Sequence, residues 1–247
     1  MNRDFQSVKI LSFPIFSGSQ REARVYIAKQ IQTKKGIQIF TPNPEILWQA
    51  HTNKEIGKLL LEGNLLLPDG VGVKLAAKLK GTPITERITG IDTGEWLLHY
   101  AAKHSLSVFL LGGKAGVAAV AKERLCKAIP ALNICGTHHG YFDKKTDSQE
   151  NQAVLQIIQK AKPDLLFVCF GCPAQEKWIS ENAPSLPFLR LSIGLGGALD
   201  VWSGKLRRAP KAVQACGAEW LWRTIREPKR IKRLLCLPRF LWVSARK

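Results

Sequence analysis

A chain of 247 residues, 45% hydrophobic and 23% charged, holds enough apolar material for one sizeable core or for a core with an appendage. That excludes a disordered chain and a disulfide-stapled miniprotein. Thirty-seven Lys and Arg against nineteen Asp and Glu leave a net charge of +18, so nucleic acid, phosphate and anionic lipid all come into consideration as partners.

The first segment, Met1 to Phe16, carries Arg3, Asp4 and Lys9 around an alternating apolar run. It lacks the basic start, apolar block and small-residue cleavage site of a secretory signal, which predicts a cytoplasmic chain. The longest stretch free of Asp, Glu, Lys and Arg, Ala128 to Phe142, contains Pro130, Asn133, His138 and His139, so no segment is expected to span a bilayer. Cysteines 126, 135, 169, 172, 216 and 236 are scattered through apolar contexts, the pattern of buried thiols in a reducing compartment.

In chain order, short runs rich in Val, Ile, Leu and Phe predict strands at Val8 to Phe13, Ile37 to Phe40, Leu65 to Leu67, Ser107 to Leu111, Leu132 to Cys135, Leu165 to Phe170 and Phe188 to Ile193. Helical periodicity predicts helices near 19–33, 44–58, 71–79, 92–104, 115–128, 149–161 and 174–183. Strand and helix alternating in this way predict an α/β fold: a Rossmann-like, mostly parallel sheet with helices on both faces. Composition then shifts near Ser203. Residues 205–247 hold thirteen basic and two acidic residues, together with Trp220, Trp222, Leu234, Leu235, Leu237, Phe240, Leu241 and Trp242. The division read from this is an α/β catalytic core, 1–204, and a C-terminal helical appendage, 205–247, both basic and apolar, suited to an anionic membrane surface.

In open α/β sheets the ligand crevice lies beyond the carboxyl ends of the strands, so the residues just after each apolar run are the candidates. Asp69, between Pro68 and Gly70, either faces that crevice as a general base or caps the helix that starts near Val71. Arg87 either clamps a phosphate or pairs with Glu86 or another acid. The turn Gly112-Gly113-Lys114-Ala115-Gly116 offers backbone N–H groups to a diphosphate, or serves geometry alone, as does Gly194-Leu195-Gly196-Gly197. Neither is a Walker or dinucleotide motif.

Cys169-Phe170-Gly171-Cys172 has redox or metal spacing, but Cys169 sits inside the most apolar strand with no second pair, which favours inert thiols. Adjacent His138 and His139 point in different directions, and no Asp-x-Asp occurs, so no metal site is expected. Arg223, Arg226, Arg230 and Arg233 recur at three- and four-residue intervals and share one helical face if Pro228 preserves the register. Four guanidinium groups together suit a diphosphate.

Several motifs in order carry a resemblance: Phe40-Thr41-Pro42-Asn43-Pro44-Glu45, Pro68-Asp69-Gly70-Val71-Gly72, Glu86-Arg87-Ile88-Thr89-Gly90, Phe109-Leu110-Leu111-Gly112-Gly113, Pro173-Ala174-Gln175-Glu176, Arg208-Ala209-Pro210 and Glu219-Trp220-Leu221-Trp222-Arg223. From about Phe40 to Arg233 the sequence resembles the bacterial WecG/TagA/CpsF glycosyltransferases. The resemblance implies inverting, metal-independent transfer of a sugar from a UDP-sugar donor to a polyprenyl-diphosphate-linked sugar acceptor, with no cofactor, by a protein peripheral on the inner face of the cell membrane.

N-acetylmannosamine is the donor sugar of the best-known members and undecaprenyl-diphosphate-linked N-acetylglucosamine the acceptor. UDP-glucose and UDP-N-acetylmannosaminuronic acid are the alternative donors. By the same resemblance Asp69 is the general base, Thr41, Asn43, Arg87 and Gln175 line the sugar and phosphate pocket, and Arg223, Arg230 and Arg233 close over it. Gly113, Glu176, Gly196 and Arg208, from the glycine turns and matching motifs, complete the substrate-binding set. A basic, non-catalytic nucleic-acid-binding protein is the rival reading, but no helix-turn-helix, zinc-finger or RNA-recognition signature appears, so no nucleic-acid partner is expected. A nucleotide-dependent oxidoreductase would need the Gly-x-Gly-x-x-Gly spacing that is missing. Self-association of the core is left open.

Overall fold

The computed structural model describes residues 5–226 and 235–246. The expected first strand is two strands. β1 (Ser7–Ile10) and β2 (Phe13–Phe16) pair antiparallel, with Ser7 opposite Phe16 and Ile10 opposite Phe13. The turn between them places Leu11 and Ser12 at φ 49° and 77°, left-handed values that neither residue type advertises. α1 (Gln20–Thr33) follows, opened by a capping box in which the Ser19 side chain accepts from the Glu22 N–H while the Glu22 carboxylate accepts from the Ser19 N–H.

After β3 (Ile37–Phe40) the predicted single helix is also divided. α2 (Pro44–Thr52) and α3 (Lys54–Glu62) meet at Asn53, whose side-chain oxygen accepts from the N–H groups of Glu55 and Ile56 at 2.9 and 3.3 Å. Capping a new helix there costs less than carrying the old one on, because Asn favours local side-chain bonds over helical continuation. The chain then runs through β4 (Leu65–Leu66), α4 (Val71–Leu79), α5 (Gly90–Lys103), β5 (Ser107–Gly112), α6 (Val117–Ala128), β6 (Asn133–His138), α7 (Gln149–Ala161), β7 (Leu165–Cys169), α8 (Ala174–Asn182) and β8 (Leu191–Gly194). The helices α9 (Ala198–Trp202), α10 (Lys211–Ala215), α11 (Glu219–Arg226) and α12 (Leu237–Arg246) complete it.

The central sheet has six strands in the order β4-β3-β8-β7-β5-β6, every pair parallel. This is the Rossmann-like α/β architecture that the sequence predicts, and the antiparallel pair stands apart from it. Alternate residues of each strand feed two apolar layers. Ile39, Leu110, Phe167 and Ile193 pack with residues of α1, α5, α6 and α9. Phe40, Phe109, Leu111, Leu166 and Val168 pack with residues of α2, α4, α7 and α8.

Phe240 of α12 is fully buried in that second layer and α12 packs on α4, so the C-terminal helix closes the core rather than trailing from it. On the same side, Trp178 donates to Asn151 at 2.7 Å and Asn151 to Asn182 at 2.9 Å, a buried polar chain that fixes α7 against α8. No helix among the described residues is long and apolar enough to cross a membrane.

Connections leave β5 toward β6 and β7 toward β8, in opposite directions, although β5 and β7 are neighbours. The carboxyl ends of these two strands therefore bound the switch point where a ligand crevice forms. Gly112 is required at that edge. Its φ is 141°, and a Cβ there would lie 2.4 Å from the Cys169 carbonyl oxygen.

Candidate active site

A cleft of about 1150 Å³ opens along the carboxyl edge of the sheet. It is lined from the core by Thr41, Asn43, Asp69, Arg87, Gly113, Lys114, Phe170, Gln175 and Gly196, and from the C-terminal segment by Lys205, Glu219, Trp220, Thr224, Cys236 and Leu237. Asp69, half-buried, follows β4 as expected. It does not cap α4: the cap residue is Gly70, at φ 97°, with no side-chain bond to the helix. Instead the Asp69 Oδ2 accepts from the Gly90 N–H at 3.4 Å, so the first turn of α5 holds this carboxylate at the cleft.

Arg87 does not pair with its neighbour Glu86. Its guanidinium lies 3.8 Å from Glu219 of α11. Glu219 also lies 3.5 Å from Arg208, which bonds Asp92 at 2.6 Å and stands 3.7 Å from Glu95. Burial opposes the Arg208 charge, but the hydrogen bond from Asp92 and the charges of Asp92, Glu219 and Glu95 outweigh it and hold the guanidinium firmly protonated. Arg208 thus braces three acids and stands outside the cleft lining. Glu219, quoted in a matching motif but given no role there, ties the C-terminal segment to Arg87 of the core and braces Arg208 within the segment.

Several other expected site residues line the cleft and also bond its frame. The Thr41 hydroxyl donates to the Gly194 carbonyl at 3.3 Å, and the Asn43 oxygen caps α2 by accepting from the Ile46 N–H at 3.0 Å. Gly113 spends its N–H on the Cys169 carbonyl at 3.3 Å rather than holding it for a phosphate. The Gln175 oxygen accepts from Gly171 at 3.2 Å and from Gly196 at 2.9 Å, stapling together the loops that follow β7 and β8.

Glu176 is buried behind that staple, outside the cleft, and accepts from the Gln175 amide at 3.0 Å. Burial pushes its carboxyl above the usual range, against the hydrogen bonds from Gln175 and Cys172. Because the folded pKa exceeds the unfolded one, stability is fully present below about pH 4.3 and declines as pH rises through the interval up to the folded pKa. Glu176→Gln keeps the acceptor for Gln175 and removes the titration. Its thermal midpoint, measured against the parent by calorimetry, is expected to gain on the parent's as pH rises from 5 to 8. A gap between the two that stays constant from pH 5 to 8 removes Glu176 as the titrating group.

Of the six thiols expected to be buried, Cys169 is buried, Cys126, Cys135, Cys172 and Cys236 are partly buried, and Cys216 is exposed, because the turn after α10 carries it to the surface. Burial pushes Cys169 up to about 12. Burial, and then the charge of Glu176, raise Cys172 further still. Such thiols are poor nucleophiles. At the end of β6, the His138 ring bonds the carbonyl of His139, just past the strand, at 2.8 Å. Among the described residues no group of three or more His, Cys, Asp and Glu is arranged to hold a metal ion. Lys144 sits 4.7 Å from the ring centres of both Phe142 and Phe170 and bonds two backbone carbonyls, and burial lowers its pKa against Asp143 and Glu150. Of the expected appendage arginines, Arg223 lies on α11, while Arg230 and Arg233 lie outside the described residues, as does part of the predicted four-arginine face.

A switch-point cleft in which a helix N-terminus holds the Asp69 carboxylate, with Lys114, Lys144, Lys205 and Arg87 also in the lining, fits a Rossmann-like group-transfer enzyme. The sequence profile of the Glycosyl transferase WecG/TagA/CpsF family matches residues 8–247, and the chain belongs to that family; it is a hexosyltransferase. It is 34% identical over 236 residues to a Bacillus subtilis protein named N-acetylglucosaminyldiphosphoundecaprenol N-acetyl-beta-D-mannosaminyltransferase, covering 95% of this chain and 90% of that one. Proteins of the same name from Bacillus spizizenii and Staphylococcus aureus are 34% and 33% identical, over 85% and 87% of this chain and 79% and 82% of theirs.

Proposed function

We propose that the protein moves N-acetylmannosamine from UDP to undecaprenyl-diphosphate-linked N-acetylglucosamine, with inversion and without a metal, as a peripheral enzyme on the inner membrane face in cell-envelope polysaccharide synthesis. The observation that carries this reading is the sharing of one cleft by Asp69 and the basic, aromatic C-terminal segment. The names of the relatives supply the substrate pair.

In this reading the Asp69 carboxylate takes the proton of the acceptor hydroxyl as its oxygen attacks the anomeric carbon from the face opposite UDP. The new C–O bond forms as the bond to the diphosphate oxygen breaks, and UDP leaves with the electron pair. Arg87, Lys114 and Lys205, which line the cleft, meet the growing negative charge in this reading. The arginines of the C-terminal segment join them when the segment lies on the bilayer, so that donor is not hydrolysed away from acceptor.

The test is a panel of UDP-N-acetylmannosamine, UDP-glucose and UDP-N-acetylmannosaminuronic acid with a synthetic lipid-diphosphate acceptor, with and without EDTA. Mass spectrometry and the anomeric coupling constant read the product. A single β-linked disaccharide lipid from the first donor, formed at an EDTA-insensitive rate, is expected. Absence of product from every donor rejects the activity, and loss of rate in EDTA that Mg²⁺ or Mn²⁺ restores rejects the metal-free part.

A further inference from the structure

The exposed side of α4 has the composition of a lipid-facing surface, although α4 belongs to the core. Val71, Leu75 and Leu79 recur every four residues and are 37%, 44% and 53% exposed, on a helix whose opposite side, Gly72, Val73, Ala76 and Ala77, is already buried. A helix that merely covers a core carries polar residues on its outer side. Here the polar residues on that side are Lys74 and Lys78, and no acid occurs anywhere in Val71–Leu79.

The helix packed beside it repeats the pattern. In α12, Phe240 and Ser244 face inward, Leu237 reaches the backbone of α4 at Gly72, and Trp242 is 57% exposed with Arg246 stacked 3.8 Å from its ring centre. No acid occurs in Leu237–Arg246 either. Exposed large apolar side chains interleaved with cations alone, on two adjoining helices, match an anionic bilayer surface. A second copy of the chain fits less well, because a two-fold contact through α4 would set Lys74 and Lys78 against their own counterparts.

We propose that α4 and α12 together form the membrane-docking face, so that the core itself, not only the last forty-odd residues, lies on anionic lipid. This deepens the membrane-bound acceptor reading and rests on it. It also explains the position of α4. The helix starts two residues after Asp69, and its stripe runs about 12 Å at 1.5 Å per residue. A core laid on lipid through that stripe keeps the carboxylate near the headgroup level, where a lipid diphosphate carries its sugar.

The experiment uses the full chain and the double variant Leu75→Gln/Leu79→Gln, neither position lining the cleft, with vesicles of phosphatidylglycerol and phosphatidylcholine. Partition measured by sedimentation is expected to fall about tenfold or more in the variant. Transfer to acceptor embedded in the vesicles falls with it, and transfer to a short-chain, water-soluble acceptor stays within about twofold of the parent. The single variant Lys78→Glu is expected to weaken partition and flatten its salt dependence. Unchanged partition in both variants overturns the proposal. So does a change of oligomeric state in the double variant, measured by light scattering without vesicles. If the parent transfers sugar to neither acceptor, the proposed activity fails, while the vesicle measurement still decides the docking face.

Discussion

Asp69→Asn is expected to lower kcat at least ~100-fold while UDP affinity and the thermal midpoint stay close to the parent's. Asparagine matches aspartate in shape and keeps an oxygen to accept the Gly90 N–H at the first turn of α5, so the loop after β4 retains its anchor. What it loses is the ability to take a proton at the attacking oxygen. General-base catalysis contributes about 10²- to 10⁴-fold, and a 100-fold loss corresponds to about 2.7 kcal/mol at the transition state. Single-turnover measurement with saturating donor and acceptor isolates that step from binding. Turnover within a few fold of the parent removes Asp69 from the chemistry, and a raised KM with unchanged kcat reassigns it to holding substrate.

Phe240→Ala is expected to have the largest effect on stability. The ring is fully buried in the apolar layer that also holds Ile46, Leu47, Val73 and Ala76, where α12 packs against α2 and α4. Truncating a buried Phe costs about 3–5 kcal/mol from lost transfer energy plus the cavity left behind. In a chain of this size that lowers the thermal midpoint by roughly 10 °C. The change also reaches the site. Leu237 belongs to the same helix and lines the cleft, so a loosened α12 opens one cleft wall, and limited proteolysis should cut the C-terminal segment first. A midpoint within about 2 °C of the parent would show that α12 docks without contributing to the core.

The alternation of apolar runs with helical periods was enough to read the parallel sheet, because strands buried on both faces leave nearly continuous apolar stretches such as Leu165 to Cys169. The first hairpin was not legible, since Leu11 and Ser12 adopt left-handed angles that the residue types do not signal. The break at Asn53 was available in principle: Asn followed two and three residues later by helix-starting N–H groups is a cap signal, masked there by continuous apolar periodicity.

At the site, the rule that ligands gather beyond strand ends singled out Asp69, Gly113 and Gly196, the family resemblance added Thr41, Asn43 and Gln175, and all six line one cleft. Periodicity says nothing about which way an amide or carbonyl points, so it could not show that Gln175 and Gly113 spend their polar groups on the frame. Glu219 left two traces, as the first residue of the Glu219-Trp220-Leu221-Trp222-Arg223 motif and as one of only two acids in a segment with thirteen basic residues. A carboxylate that isolated invites the question of which cations it serves.

The tie through Glu219 changes what a shortened protein can report. Cutting the chain after residue 204 removes Glu219 and Arg208 together, stripping Arg87, Asp92 and Glu95 of the counter-charges described above and uncovering the apolar seat of Phe240. Clustering or precipitation of such a fragment would then reflect a freshly exposed wound, and is no guide to how intact molecules associate.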